Sequence, residues 1–98
     1  MNEQQQVQRA KEALMVLDNE AYKEAMKSLK EAIILQWKEC PVRDSEGQLL
    51  LLQLAKLTDK FEGILKGMIE TGKLAQHKID IDQERSESKV RNWIRKVA

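Results

Sequence analysis

Cys40-Pro41-Val42-Arg43-Asp44-Ser45 is the stretch on which the reading of this chain turns. Pro41 has no backbone N–H to donate and biases the residue before it away from helix, so a helix arriving from the N-terminal side ends at Cys40. Ser45, followed three residues later by Gln48, has the form of a capping box for a departing helix. On either side the apolar residues recur at steps of three and four. Tyr22, Ala25, Met26, Leu29, Ala32, Ile33 and Trp37 do so over 19–39, and Leu50, Leu54, Leu57, Phe61, Ile64, Leu65 and Met68 over 45–71. The expected fold class is all-α, a long antiparallel α-hairpin that buries these two stripes.

Working outward, residues 3–17 carry Val7, Ala10, Leu14 and Leu17 on one narrow face, with Asn2 available as a cap. Asp18-Asn19 either breaks the chain into a second helix or only kinks one continuous helix from 3 to 39; the sequence leaves both open. Gly72 follows Thr71 where a left-handed helix terminus is expected. Lys73–Ile79 has room for one or two further turns. Asp80, Asp82 and Glu84 then form an acidic linker. Over 85–98 five bases face one acid, a net +4 that the whole-chain charge hides. Val90, Trp93, Ile94 and Val97 share one helical face there, with Lys89, Arg91, Arg95 and Lys96 opposite. The expected organisation is a helical domain over 1–79 and an acidic linker with a short basic amphipathic C-terminal helix, or arm, over 80–98.

Composition narrows the function. Ninety-eight residues suffice for a modest core but not a deep catalytic cavity. The chain is 42% hydrophobic, only 4% aromatic and 34% charged, with a net charge of +1 that forces no polyanionic partner on the chain as a whole. A single cysteine excludes an internal disulfide. The polar start Met1-Asn2-Glu3-Gln4-Gln5-Gln6 argues against a secretory signal, and no uncharged run approaches the roughly 20 residues of a membrane span. A cytoplasmic protein with no membrane partner and no cofactor is expected.

Candidate chemistry is sparse. Cys40 and His77 stand singly, with no third partner for a nucleophilic pair, so no catalytic role is assigned. Asp80-Ile81-Asp82-Gln83-Glu84 begins like a calcium loop, but Arg85 replaces the sixth-position glycine and Arg91 the bidentate glutamate. The informative residues are apolar. Ile34, Leu35, Leu49 and Leu52 leave the main stripes near the turn, where a two-helix pair has nothing to cover them. Gly63 and Gly67, four apart on the side of Leu49 and Leu52, would allow another helix to approach. Trp93 and Ile94 would anchor the basic arm, either folded back over the hairpin tip or exchanged with a neighbouring subunit. Alternatively Lys89, Arg91, Arg95 and Lys96 contact nucleic-acid phosphates.

Leu17-Asp18-Asn19-Glu20, Trp37 near a helix end, Val42-Arg43-Asp44-Ser45-Glu46-Gly47 and Ile69-Glu70-Thr71-Gly72-Lys73-Leu74-Ala75 together resemble small helical proteins of tailed bacteriophages, often encoded near head, portal and packaging genes. The resemblance spans about residues 10–76 and leaves out the basic tail. Such families often have an arginine after the acidic pair of the turn; this chain has Gly47-Gln48 instead. The resemblance implies a virion-assembly or DNA-packaging setting, in the host cytoplasm or the virion, with repeated copies of a small subunit. A non-enzymatic assembly protein that forms a homo-oligomer or docks on a larger particle is therefore expected. The alternatives are a DNA-binding, small terminase-like packaging factor and a small inhibitor or adaptor of a host protein.

Overall fold

Each helix starts at a side chain that supplies a hydrogen bond the backbone lacks. The computed structural model describes residues 1–97 as three α-helices, α1 (Glu3–Asp18), α2 (Glu20–Glu39) and α3 (Ser45–Val97). Asn2 caps α1: its side chain accepts from Gln5 N at 2.9 Å, while Gln5 Oε1 accepts from Asn2 N at 3.1 Å. Asn19 is extended (φ −70°, ψ 125°), and its side chain accepts from Tyr22 N at 2.9 Å. The α1–α2 junction is therefore a true break. At α3 the cap is Asp44 rather than Ser45, with Asp44 Oδ1 accepting from Gly47 N at 2.9 Å. A carboxylate here adds charge to the hydrogen bond at the positive end of the helix dipole. Gln48, expected in a capping box, instead donates from Nε2 to Cys40 O at 3.3 Å and ties the turn together.

Beyond Thr71 the structure corrects the reading of the sequence. α3 does not stop there; it is a single helix of 53 residues. Gly72 has no positive φ and is buried in mid-helix. A Cβ on it would overlap Ala10 Cβ and lie 3.1 Å from Gln6 O, so the glycine admits α1 rather than ending α3. Asp80, Asp82 and Glu84 are helical, not a linker, and 85–97 continues the same helix rather than forming a separate short one. The physical reason is local: from Lys73 to Lys96 there is no proline or glycine, and residues of good helix propensity predominate. Ala98 and the Val97 side chain lie outside the described residues.

Cross-helix contacts give the arrangement. Gln48 meets Cys40, Lys30 Nζ lies 2.9 Å from Glu62 Oε1, Gly72 meets Ala10, and Lys78 Nζ lies 2.6 Å from Glu3 Oε1. Positions rise along α3 as they fall through α2 and α1, so the first two helices run back along the third. The molecule measures 83 × 26 × 17 Å, its length set by α3 at about 1.5 Å per residue. Its radius of gyration is 22.9 Å, where a compact chain of this size would have about 13 Å.

Such a rod has a thin core. Among the described residues the buried side chains are Ala13, Thr58 and Ala75, and no large side chain is fully buried. The accessible surface is 8276 Å². A compact monomer of this mass would expose about 5,800 Å², so a large area is left for something else to cover.

Candidate interaction surface

α3 carries two seams of alternating three- and four-residue spacing, one residue apart. Leu51, Ala55, Thr58, Glu62, Leu65 and Ile69 form the first, which continues through Gly72; all of these are at least half-buried. Leu50, Leu54, Leu57, Phe61, Ile64 and Met68 form the second. The sequence marks the second as the core stripe, since it is the more apolar, yet its members are 40–63% exposed. Of the expected α3 stripe only Leu65 turns inward. On α2, Tyr22, Met26 and Ile33 face α3, while Ala25, Leu29, Ala32 and Trp37 are exposed.

The inner seam works because it is narrow and its polar members are satisfied. Ala13, Gly72 and Ala75 let α1 and α3 approach closely, which maximises dispersion contact between backbones. Thr58 Oγ1 donates to Leu54 O at 2.9 Å, so burying its hydroxyl leaves no unmet donor. Glu62 is paired with Lys30, whose pKa is raised chiefly by that hydrogen bond, with burial opposing. Tyr22 packs on Phe61 with ring centroids 6.4 Å apart and bridges the two seams. Burial raises the Tyr22 pKa, and its hydroxyl has no hydrogen-bond partner among the described residues.

The two flanks of the α2–α3 pair differ in character. One carries an open groove of about 270 Å³ lined by Ile33, Ile34, Trp37, Leu51, Leu52 and Ala55. A depression beside it is lined by Leu17, Tyr22, Met26 and Ile34 together with Lys23, Lys27, Lys30, Glu31 and Glu62. Helical geometry at 100° per residue puts the Leu50–Met68 stripe on the opposite flank, beside Ala25, Leu29, Ala32 and Gln36 of α2. Between Ala21 and Gln36 on α2, and between Leu50 and Ile64 on α3, the positions on that flank hold no charged residue, whereas Met68 borders a cleft lined by Met1 and by Gln6 and Arg9 of α1.

The residues singled out from the sequence are distributed as follows. Ile34 and Leu52 line the groove; Leu35 and Leu49 are each 55% exposed and stand outside it. Gly63 and Gly67 have nothing within 4 Å of a built Cβ, so no close helix packing uses them, although Gly67 borders a cleft shared with Gln6 and Arg9 of α1. Trp93 and Ile94 do not fold back over the hairpin tip, because α3 carries Trp93 roughly 72 Å from its own first residue. Both are exposed, as are Lys89, Arg91, Arg95 and Lys96. Reasoning from sequence missed the Leu50–Met68 stripe as a surface. The available signal was the adjacent seam, whose Ala55, Thr58, Gly72 and Ala75 are small enough for close packing.

Cys40 and His77 are held roughly 45 Å apart by α3. Burial, with Asp44 adding to it, pushes the Cys40 thiol up, away from the reactive thiolate. No helix among the described residues is long and apolar enough to cross a membrane, and no group of three or more His, Cys, Asp or Glu could hold a metal ion. No protein-family model, curated protein or solved structure matches the chain.

Proposed function

We propose that this chain is a non-enzymatic helical assembly protein whose work is to lay an apolar helix face against other protein. The observation carrying the reading is the Leu50–Met68 stripe: six large side chains, each roughly half exposed, on a chain already rich in uncovered surface. Monomeric proteins rarely expose a contiguous apolar patch of more than a few hundred Å². Covering these six buries the equivalent of about three whole side chains, at about 1.5–3 kcal/mol each. Exposed ion pairs such as Lys73–Glu70, at 3.5 Å, contribute less than about 1 kcal/mol each. Apolar contact therefore dominates any association this surface makes. The phage-like landmarks in the sequence suggest the setting, a subunit of virion assembly or packaging that self-associates or docks on a larger particle.

Ile34 and Leu52 in the groove, exposed Leu35 and Leu49, and the open faces of Gly63 and Gly67 provide further contact surface within the same reading. Light scattering of the purified chain across concentration and salt tests it. Association that persists or strengthens in high salt is expected; a chain that remains monomeric and captures no protein assembly would count against it.

A second reading draws on the projecting end of α3, where Lys89, Arg91, Arg95 and Lys96 stand clear of α1 and exposed. These bases suit a DNA-binding, terminase-like packaging role. Affinity for duplex DNA would then fall steeply as salt rises, the reverse of the apolar case.

A further inference from the structure

The face by which α3 holds α1 does not stop where α1 begins. Gly72 and Ala75 are buried on that face, and Glu3, in the first turn of α1, pairs with Lys78. Eighteen residues make five full helical turns, so Val90 and Trp93 point in the directions of Gly72 and Ala75. They are 56% and 64% exposed. The seam that seats α1 antiparallel therefore runs on past Ile81 for about 25 Å with nothing of this chain upon it.

Charge selects what covers it. At about 100° per residue, Asp82, Lys89 and Lys96 flank this continued face on one side, and Glu87 and Arg91 flank it on the other. Flanking charges of this kind set the partner and orientation of paired helices. A polyanion would meet Asp82 and Glu87 among the bases and be repelled by them. A second copy running antiparallel gives each acid a base. With Lys89 at the centre, Asp82 of each copy meets Lys96 of the other, and Glu87 of each meets Arg91 of the other. Lys89 facing its own counterpart is the one repulsion. Parallel pairing sets Asp82 beside Glu87 instead, and drives together two α1 helices that occupy the same seam.

We propose that two copies of this chain pair antiparallel through residues 82–97 of α3. The register fits the free length: each helix then ends beside Ile81 of the other, just short of α1. This pairing goes beyond the assembly reading above, because it uses a different face from the Leu50–Met68 stripe. The overlap is one helix wide and covers less than the roughly 1,200 Å² of a standard interface, so the dimer is weak and forms in the upper micromolar range.

The test combines mass, charge reversal and distance. Sedimentation of the full chain at millimolar concentration should give a dimer, and X-ray scattering a length of about 135 Å against 83 Å for one copy. Trp93→Glu and Val90→Glu should each leave a monomer. Glu87→Arg and Arg91→Glu should each be monomeric alone, yet form a dimer when the two variants are mixed. Circular dichroism checks that all remain helical. Spin labels on Leu74→Cys, in a Cys40→Ser background, should lie about 50 Å apart; parallel pairing would hold them within about 30 Å. The short distance, or a mixture that stays monomeric, overturns the pairing. A dimer lost in Leu57→Glu but kept in Trp93→Glu assigns association to the stripe, overturning this pairing while leaving the assembly reading standing. A wild-type chain that is monomeric at millimolar concentration overturns the pairing outright, and binding of duplex DNA by that monomer would assign the bases to the DNA reading.

Discussion

Gly72 of α3 lies so close to Ala10 of α1 that the two helices leave no space for a methyl group between them. This approach is the tightest consequence of the seam α3 uses, and it sets Gly72 apart from Gly63 and Gly67. Gly72→Ala should destabilise by about 1–3 kcal/mol through overpacking, despite the gain of about 1 kcal/mol in helix propensity. Gly63→Ala and Gly67→Ala have open space around the added methyl and should each stabilise by up to about 1 kcal/mol. Thermal melts of the three variants check the order. A stabilising Gly72→Ala would mean that Ala10 of α1 does not pack against Gly72.

The helix start at Asp44 offers a second measurement. Asp44→Ala removes the side chain that accepts from Gly47 N and should cost about 1 kcal/mol, whereas Ser45→Ala should change little. If urea denaturation ranked these two the other way, Ser45 would be the cap.

The Glu3–Lys78 pair gives a pH signature. Glu3 is lowered from 4.5, chiefly by the hydrogen bond from Lys78, and Lys78 is raised from 10.5 by the same bond. The depressed acid contributes stability that is fully present above its ordinary pKa and lost as pH falls through its lowered folded value. The raised lysine contributes stability that is fully present below its ordinary pKa and lost as pH rises through its raised folded value. The melting difference between wild type and Glu3→Gln should therefore be flat from roughly pH 5 to 10 and shrink on either side. Because both groups face solvent, added salt should reduce it throughout. A difference independent of pH would mean that the pair does not form.

Tyr22 tests the inner face of α2. Its hydroxyl is buried without a partner, while its ring packs on Phe61. Tyr22→Phe keeps the ring contact and removes the desolvated hydroxyl, so the variant should be about 1–3 kcal/mol more stable. A loss of stability in the melt would reveal a hydrogen bond to that oxygen.

Beyond Ile81, α3 of a single copy runs past the start of α1 and every described side chain on it is exposed. Hydrogen exchange should therefore show residues 85–97 opening locally, while amides near Thr58 and Ala75 exchange only on global unfolding. Deleting 85–98 should lower total helicity but leave the melting midpoint of the remainder nearly unchanged. A large drop in the midpoint would place a packing partner on the deleted stretch.

The helices themselves could be read from residue order. Pro41 stops α2, Asn2 and Asn19 have the side chains a cap requires, and the three- and four-residue spacing is periodic without regard to partners. Local rules failed at Gly72 and across 80–84. A glycine after a helical run reads as a terminus until α1 is seen to need that space, and an acidic cluster reads as a linker although nothing in it breaks a helix. The tip residues Ile34 and Leu52 could be picked out as surface because they leave their stripes. The Leu50–Met68 stripe could not, since its hydrophobicity marks it equally well for a core.

Backbone chemistry close at hand, then, determined where this chain is helical and where it turns. Which seam of α3 faces inward was decided only when the helices came together. Small side chains on α1 and α3 allow close backbone approach, and the gain from that contact is spread over two helices, so no single stripe reveals it. The larger residues were left outside, and with them the surface on which the proposed function rests.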